Sequence, residues 1–214
     1  MPKPPNSNII TTRWVYKLKP SYNSNNIEFK ARYVAKGFEQ LYGIDYIDTF
    51  ASVIKQLAWR LLFALALINR WLIYKVDMIS AFTQSDIDNN IYIKQPIGFI
   101  DLNKPDFVFK LNKALYGLKQ SARLWYNTLK EILVTKLGFI VLQTENSIFI
   151  NKSLNIYISL YIDDLAIIGP NKDTISSFIK DLKQYFNIKE LGLVKDYLGV
   201  EIDYNIVDGT LSLL

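Results

Sequence analysis

The chain has 214 residues, half of them apolar and 14% aromatic, so it can bury a sizeable core and is not disordered. It contains neither cysteine nor histidine, which excludes disulfides, thiolate or imidazole metal sites and catalysis by Ser-His-Asp or Cys-His groups. The net charge is +5, and residues 1–60 carry this whole excess, with nine Lys/Arg and four Asp/Glu. A basic edge of this kind suits a polyanion, although a solvated basic face is the simpler explanation of the charge alone.

The start of the chain shows an alternation of basic with apolar or aromatic residues, which is typical of strands. Lys30 and Arg32 lie two positions apart on the second of these strands, so both are expected on one face. We expect an irregular lead-in over residues 1–12, strands over Arg13–Lys19 and Ile27–Ala35, and a turn over Ser21–Asn26 that makes them a hairpin.

The remaining periodicities predict three helices and several short strands. The helices are Gln56–Asn69, a buried helix too short to span a membrane, amphipathic Gln120–Leu137, and Thr174–Phe186 with Asp173 as its N-cap. This is an α+β pattern, with helices covering one face of a mostly antiparallel sheet. The predicted strands are Trp71–Asp77, Ile91–Lys94, Phe107–Leu111, Ser147–Ile150, Asn155–Ile162, Leu165–Gly169 and Tyr197–Ile202, with a hairpin turn at Asp208–Gly209.

Three aspartates stand where strongly apolar strands break. Asp77 ends one strand, and Asp163 and Asp164 join two others at a hairpin tip. Carboxylates at the ends of adjacent strands form a hard-oxygen site of the kind that binds Mg²⁺ together with phosphates. For any one of these residues, ordinary turn chemistry is the simpler explanation. The bunching of charge at the breaks is what favours a functional site.

An ordered series of motifs covers nearly all of residues 8–202: TRWVYKLK, FKARYVAKGFEQLYGIDYIDTFA, VDMISAF, IYIKQPIGF, LNKALYGLKQSARLWY, LYIDDLAIIG and KELGLVKDYLGVEI. The series resembles the reverse transcriptase of copia-type long-terminal-repeat retrotransposons. The resemblance implies an α+β polymerase palm, an antiparallel sheet with helices packed on one face, plus a small fingers hairpin region. It also implies an RNA-directed DNA polymerase that adds dNTPs to a primer 3′ end by two-metal phosphoryl transfer.

The resemblance gives candidate residues their expected roles. Asp77, Asp163 and Asp164 match the catalytic, metal-binding aspartates, which implies two Mg²⁺ ions, with Mn²⁺ as a substitute. Phe82 matches an aromatic gate that excludes a 2′-hydroxyl, although a core phenylalanine explains it equally well. The other matches are nucleotide contacts at Lys30, Arg32, Gly117, Lys119 and Gln120, and primer or template contacts at Tyr161, Tyr197, Leu198 and Gly199.

The resemblance also implies an organisation and partners. Fingers are expected at about residues 8–70 and 90–118, palm at about 71–89 and 119–202, and the start of a thumb-side extension at 203–214. The expected partners are an RNA or DNA template with primer and dNTPs, with no membrane. Thumb, ribonuclease H and integrase regions are expected in a full polyprotein. No signal peptide is visible, so we expect an intracellular location, in a cytoplasmic particle or the nucleus.

Several positions depart from the family pattern. Ile79, Gln84 and Ser85 stand where lysine, asparagine and glycine are usual, although no catalytic carboxylate is lost. An alternative hypothesis is therefore a truncated, catalytically inactive remnant with at most weak nucleic-acid binding. A third, a palm-type cyclase, is disfavoured by the LYGLKQ and KARYVAKGF motifs. The other departures are Ser52 and Ala122 in place of prolines, and Tyr33 in place of leucine.

Overall fold

The computed structural model describes residues 1–20 and 27–214. In this part of the chain the helices are α1 (Gln56–Ile68), α2 (Ser121–Thr135) and α3 (Lys172–Leu182). The strands are β1 (Ile9–Ile10), β2 (Thr12–Pro20), β3 (Ile27–Ala35), β4 (Leu72–Met78), β5 (Tyr92–Lys94), β6 (Val108–Lys110), β7 (Ile140–Leu142), β8 (Glu145–Asn151), β9 (Ile156–Tyr161), β10 (Asp164–Gly169), β11 (Ile188–Leu193), β12 (Asp196–Tyr197), β13 (Val200–Asn205) and β14 (Thr210–Leu213).

The strands form four sheets among the described residues. The largest is antiparallel, with six strands in the order β11–β4–β10–β9–β8–β7. The sheet β1–β5–β6 contains one parallel pair, between β1 and β5, and β12–β13–β14 is antiparallel. The two-stranded ribbon β2–β3 is antiparallel, as the alternating pattern predicts. The predicted turn Ser21–Asn26 lies outside the described residues.

The chain divides into two compact units. The first unit comprises Met1–Phe50 and Phe82–Trp125, and holds the ribbon and the β1–β5–β6 sheet. The second unit comprises Ala51–Ala81 and Tyr126–Leu214, and holds the six-stranded sheet, the β12–β13–β14 sheet, α1, α3 and most of α2. The finger and palm boundaries expected from the family resemblance stay predictions.

Helices lie on both faces of the six-stranded sheet, so the expectation of helices on one face only is wrong. On one face, Trp59 of α1 belongs to the same core cluster as Ile168 of β10. On the other, Tyr126 of α2 packs against Phe149 at 6.4 Å between ring centroids, and Phe149 aligns across β9 with Ile167. The physical reason is that β10 is buried almost throughout, and a strand that is apolar on both faces needs cover on both.

Other sequence expectations are corrected in detail. Strand β1 lies within the predicted irregular lead-in, and β11 was not predicted because its run IKELGL is neither alternating nor continuously apolar. Helix α1 is not fully buried, because Leu57 and Leu61 are exposed. The N-cap of α3 is Asn171, whose side-chain oxygen accepts a bond from the Thr174 amide at 2.9 Å, and not Asp173. Asp173 instead lies in the first helical turn.

The predicted strand Tyr197–Ile202 is in fact a hairpin between β12 and β13. Its two loop residues, Leu198 and Gly199, have φ values of 51° and 81°, which is the backbone of a type I′ turn. The predicted turn at Asp208–Gly209 does lie between β13 and β14. None of the helices in the described residues has the length and apolar character that crossing a bilayer requires.

Candidate active site

The candidate site is built around the tight turn that joins β9 and β10. Tyr161 pairs with Asp164, so Ile162 and Asp163 are the two loop residues. Ile162 has a φ of 56°, a backbone conformation that is strained for a β-branched side chain. Glycine or asparagine usually occupies this position in such turns. The Met78 amide donates to the Asp163 carbonyl at 2.8 Å, which fastens the turn to the end of β4.

Asp77 and Asp164 are direct cross-strand partners on β4 and β10. Residues opposite each other in an antiparallel pair project from the same face, with Cβ atoms about 5 Å apart. Asp163 precedes Asp164 in the turn. The structure therefore brings the three predicted aspartates to one end of two adjacent strands, as the apolar runs around them indicated. Lys189 of β11 lies opposite Asp77 on its other side.

A lysine that the sequence reasoning passed over lies among these acids. Lys75 is two residues before Asp77 on β4, and its Nζ is 3.7 Å from Asp164 Oδ1 and 2.5 Å from Asp196 Oδ1. Its side chain is only 12% exposed. The signal that could have found it is its spacing, because positions two apart on a strand share a face. Nothing in the local pattern points to Asp196, which is 121 positions away.

The pKa of the Asp164 carboxyl lies above its ordinary value of 3.8. Burial is the main cause, because a half-buried carboxylate receives less of the solvation by water that stabilises its charged form. Lys75 acts in the opposite direction, whereas the negative charges of Asp163, Asp77 and Asp196 raise the pKa further. Lys75 and the neighbouring acids therefore act on the Asp164 carboxyl with opposite signs.

The donor chemistry of the cluster fits Mg²⁺. Mg²⁺ is held by one or two carboxylates together with water and substrate phosphates, and Asp77 and Asp164 supply adjacent carboxylates. Within the described ranges, however, no group of three or more acidic side chains is arranged to hold a metal ion. The Lys75 ammonium lies beside Asp164 and offsets part of its negative charge, so the three carboxylates are not drawn together around one point.

The predicted primer and template residues fall into two environments. Tyr161 is partly exposed beside the turn. Tyr197 is completely buried against Trp59, and its hydroxyl lies 2.8 Å from the Ser159 hydroxyl. Burial raises the pKa of the Tyr197 phenol. Tyr197 is therefore part of the core, and the turn next to it consists of Leu198, which packs partly buried against that core, and exposed Gly199.

The predicted nucleotide residues all belong to the first unit, and two of them meet at a residue that was not singled out. Arg32 lies over the ring of Tyr116, 5.4 Å from its centroid, and the Phe82 ring is 4.6 Å from the same ring. Tyr116 is the tyrosine of the LYGLKQ motif, so its signal was present in the sequence. Lys30 shares the Arg32 face of the ribbon, as the alternation predicted.

The other three residues of this group shape the LYGLKQ loop. Gly117 has a φ of 90°, and a Cβ there would lie 2.1 Å from the Ala35 carbonyl oxygen, so only glycine fits. Gln120 is fully buried, accepts from the side chain of Gln40 and donates to the Asp45 carbonyl. Lys119 is the one whose cation reaches the surface, where its Nζ donates to the Tyr46 hydroxyl at 2.9 Å.

Comparison with known proteins decides the family. Residues 1–213 match the family model described as "Reverse transcriptase (RNA-dependent DNA polymerase)". The chain belongs to this reverse transcriptase family. The Retrovirus-related Pol polyprotein from transposon RE1 of Arabidopsis thaliana is 36% identical to this reverse transcriptase domain over 203 residues, 94% of the chain and 14% of the relative. The corresponding polyprotein from transposon TNT 1-94 of Nicotiana tabacum is 35% identical over 196 residues, 90% of the chain and 15% of the relative.

These matches confirm the resemblance to copia-type retrotransposon Pol polyproteins. The reverse transcriptase chain spans about one seventh of the length of these two relatives. Among solved structures, apo telomerase from Candida Tropicalis, truncated from its C-terminal domain, is 12% identical with a TM-score of 0.40. That alignment covers 95% of this chain and 55% of the telomerase chain.

Proposed function

We propose that the chain catalyses RNA-directed DNA synthesis, adding dNTPs to the 3′ end of a primer on an RNA or DNA template. The observation that carries the proposal is the direct pairing of Asp77 with Asp164, beside Asp163, in a chain of the reverse transcriptase family. If the chain were an inactive remnant, nothing would require these three aspartates to lie together. The proposed site of action is intracellular, in a cytoplasmic particle or the nucleus.

The proposed role of the three aspartates is to hold divalent cations at the end of β4 and β10. When bound, two Mg²⁺ ions would favour ionisation of the primer hydroxyl and stabilise the charge of the leaving pyrophosphate. The short turn and the Met78 amide fix the backbone on which Asp163 and Asp164 stand, so little ordering remains at the moment of reaction.

The proposed role of the first unit is to bind the incoming nucleotide. Lys30 and Arg32 carry cations on one face of the ribbon, as triphosphate binding requires. Arg32 is steadied by the Tyr116 ring, which also supports Phe82 as the proposed gate against a 2′-hydroxyl. Leu198 and Gly199 form the turn proposed to contact the primer.

Primer extension tests this function. Purified chain is incubated with a DNA primer annealed to an RNA template, dNTPs and Mg²⁺ or Mn²⁺. We expect extension by the wild-type chain, and a loss of at least about 100-fold for Asp163→Asn, because removing a charge-stabilising group at a reaction centre has effects of this size. Asp173→Asn, at an exposed position in the first turn of α3, is the matched control and should extend normally.

The outcome that contradicts the proposal is a wild-type chain that gives no extension at any protein concentration, or an Asp163→Asn chain as active as wild type. The first result would leave the remnant hypothesis in its place. A salt titration of duplex binding then measures what remains, since phosphate contacts lose affinity steeply as salt rises.

A further inference from the structure

Lys75 is the most unusual charged residue in the second unit, because it stands on a strand in the middle of a sheet. Strand β4 has β10 on one side and β11 on the other, and Lys75 pairs with Ala166 and Gly192. Its side chain lies on the same face as that of Asp77, between the acids and the core cluster of α1. Only 12% of its side chain is exposed, and two carboxylates lie within ion-pair distance of its ammonium, of which Asp196 is 65% exposed at the surface.

Two carboxylates share this ammonium unequally. Asp196 accepts a hydrogen bond at 2.5 Å, whereas the nearest oxygen of Asp164 lies at 3.7 Å, beyond hydrogen-bond length but within ion-pair range. Asp196 belongs to β12, outside the six-stranded sheet. The Asp196 contact therefore draws the Lys75 cation away from the turn that holds Asp163 and Asp164.

We infer that Lys75 is a counter-ion of the aspartate cluster and competes with divalent cations for Asp164. Asp196 limits this competition, because its hydrogen bond holds the Lys75 ammonium away from Asp164. The inference rests on the proposed function, which places metal at these aspartates. It makes Lys75 and Asp196 positioning residues for the cluster and not catalytic residues.

Replacing Lys75 and replacing Asp196 should change the affinity for divalent cations in opposite directions. Removing the Lys75 charge frees Asp164 for a cation, so binding should tighten. Removing the Asp196 charge leaves Asp164 as a carboxylate partner of the ammonium without a competitor on the β12 side, so binding should weaken. If Asp196 acts through Lys75, its removal should matter little once Lys75 has been replaced, which a double-mutant cycle measures.

A Mn²⁺ titration of the 214-residue chain tests these expected changes in affinity. Binding is measured as the loss of the electron paramagnetic resonance signal of free Mn²⁺. We expect Lys75→Gln to bind Mn²⁺ about threefold to tenfold more tightly than wild type, which is smaller than the roughly tenfold to hundredfold changes seen when partners hydrogen-bonded to metal ligands are replaced. Asp196→Asn should bind more weakly, and Lys75→Gln with Asp196→Asn should bind like Lys75→Gln alone.

Two further variants separate charge from structure. Lys75→Arg keeps the cation and should bind like wild type, which also keeps the test valid if Lys75→Gln fails to fold. Lys189→Gln removes an exposed lysine opposite Asp77 and should change affinity less, because exposed charges are screened by salt. Unchanged affinity in folded Lys75→Gln, an equal Asp196→Asn effect in both backgrounds, or Lys75→Arg binding as tightly as Lys75→Gln would overturn the inference.

The test is independent of polymerase activity. If the Mn²⁺ affinities shift as expected while the wild-type chain extends no primer, the inference stands and the proposed function fails. If the chain extends primers and loses this activity in Asp163→Asn, while Lys75→Gln binds Mn²⁺ like wild type, the proposed function stands and the inference fails. Absence of Mn²⁺ binding in both wild type and Lys75→Gln also overturns the inference.

Discussion

The six-stranded sheet of the second unit and the β2–β3 ribbon of the first are both antiparallel, yet they place charge in opposite ways. In the sheet, β10 is buried from Leu165 to Gly169 and its charge stands at the strand end. In the ribbon, Arg13, Lys17, Lys30 and Arg32 lie on one face together with Val15 and Val34, and mostly apolar or aromatic side chains lie on the other. Three of those apolar side chains are largely exposed, namely Tyr16, Leu18 and Phe29.

The difference follows from what covers each face. Helices and the small β12–β13–β14 sheet cover the six-stranded sheet, so a charge inside it loses hydration and needs charged partners, as Lys75 has in Asp164 and Asp196. The described ribbon has little cover, so cations can stand along it in contact with water. A strand's pattern therefore reports its cover: a continuous apolar run indicates burial on both faces, and alternation indicates at least one open face.

The largest expected effect compares one leucine from each region. Leu165→Ala on β10 should lower the free energy of unfolding by about 2–5 kcal/mol, because it opens a cavity in a packed core. Leu18→Ala on β2, which is 59% exposed, should change it by about 0.5 kcal/mol or less. Urea denaturation followed by circular dichroism measures both. Equal losses would show that the ribbon is covered in solution and would break the comparison.

Two buried serines provide the next largest effect. Ser85 of the first unit is fully buried and its hydroxyl has no hydrogen-bond partner in the described structure. Ser85→Ala should therefore raise the free energy of unfolding by about 1 kcal/mol. Ser147 of the second unit, equally buried, bonds to the Ser52 hydroxyl at 2.9 Å, so Ser147→Ala should lower stability by a similar amount. A loss of stability in Ser85→Ala would contradict this account.

The pH dependence of Asp164 is a smaller effect. Its raised pKa means that the folded state keeps a proton that the unfolded chain has already lost. Its contribution to stability is thus fully present below the ordinary pKa of 3.8 and is lost as pH rises through the raised pKa. Asp164→Asn should become progressively more stable than wild type over that rise, in urea midpoints measured against pH. A difference that does not vary with pH would contradict the raised pKa.

The smallest effect is the mirror case in the first unit. Glu39 accepts bonds from the Thr11 hydroxyl and the Thr11 amide, which lower the pKa of its carboxyl below the ordinary 4.5. Its contribution to stability is present above 4.5 and is lost as pH falls through the lowered pKa. Glu39→Gln has no carboxyl to titrate, so its free energy of unfolding should not show this loss at low pH. The difference in free energy of unfolding between wild type and Glu39→Gln should therefore become smaller in acid. The same advantage at all pH values would show that the Thr11 bonds do not favour the charged carboxylate.

The departures from the family pattern show how context decides the effect of one substitution. The hydroxyl of Tyr33, where leucine is usual, lies 2.6 Å from the Thr12 hydroxyl and donates to the Lys94 carbonyl. Ser52, where proline is usual, bonds to Ser147. Ser85, where glycine is usual, finds no such partner in the described structure. The sequence identified all three changes, but only their neighbours in space show which of the new hydroxyls have a hydrogen-bond partner.

The sequence by itself determined the family and most strands of the six-stranded sheet, and it singled out the three aspartates, because ordered motifs and side-chain periodicity are properties of the local chain. It also implied that Asp77 and Asp164 stand at strand ends, since apolar runs stop there. It could not decide which elements cover each face of the sheet, that Tyr197 is buried, or that Asn171 caps α3 in place of Asp173.

Only the tertiary structure placed Lys75 between Asp164 and Asp196, or Tyr116 between Arg32 and Phe82. The physical reason is that such contacts join residues far apart in the chain, and their partners are set by strand order and register. A local pattern fixes which face a side chain occupies. What that face meets depends on how the rest of the chain folds over it.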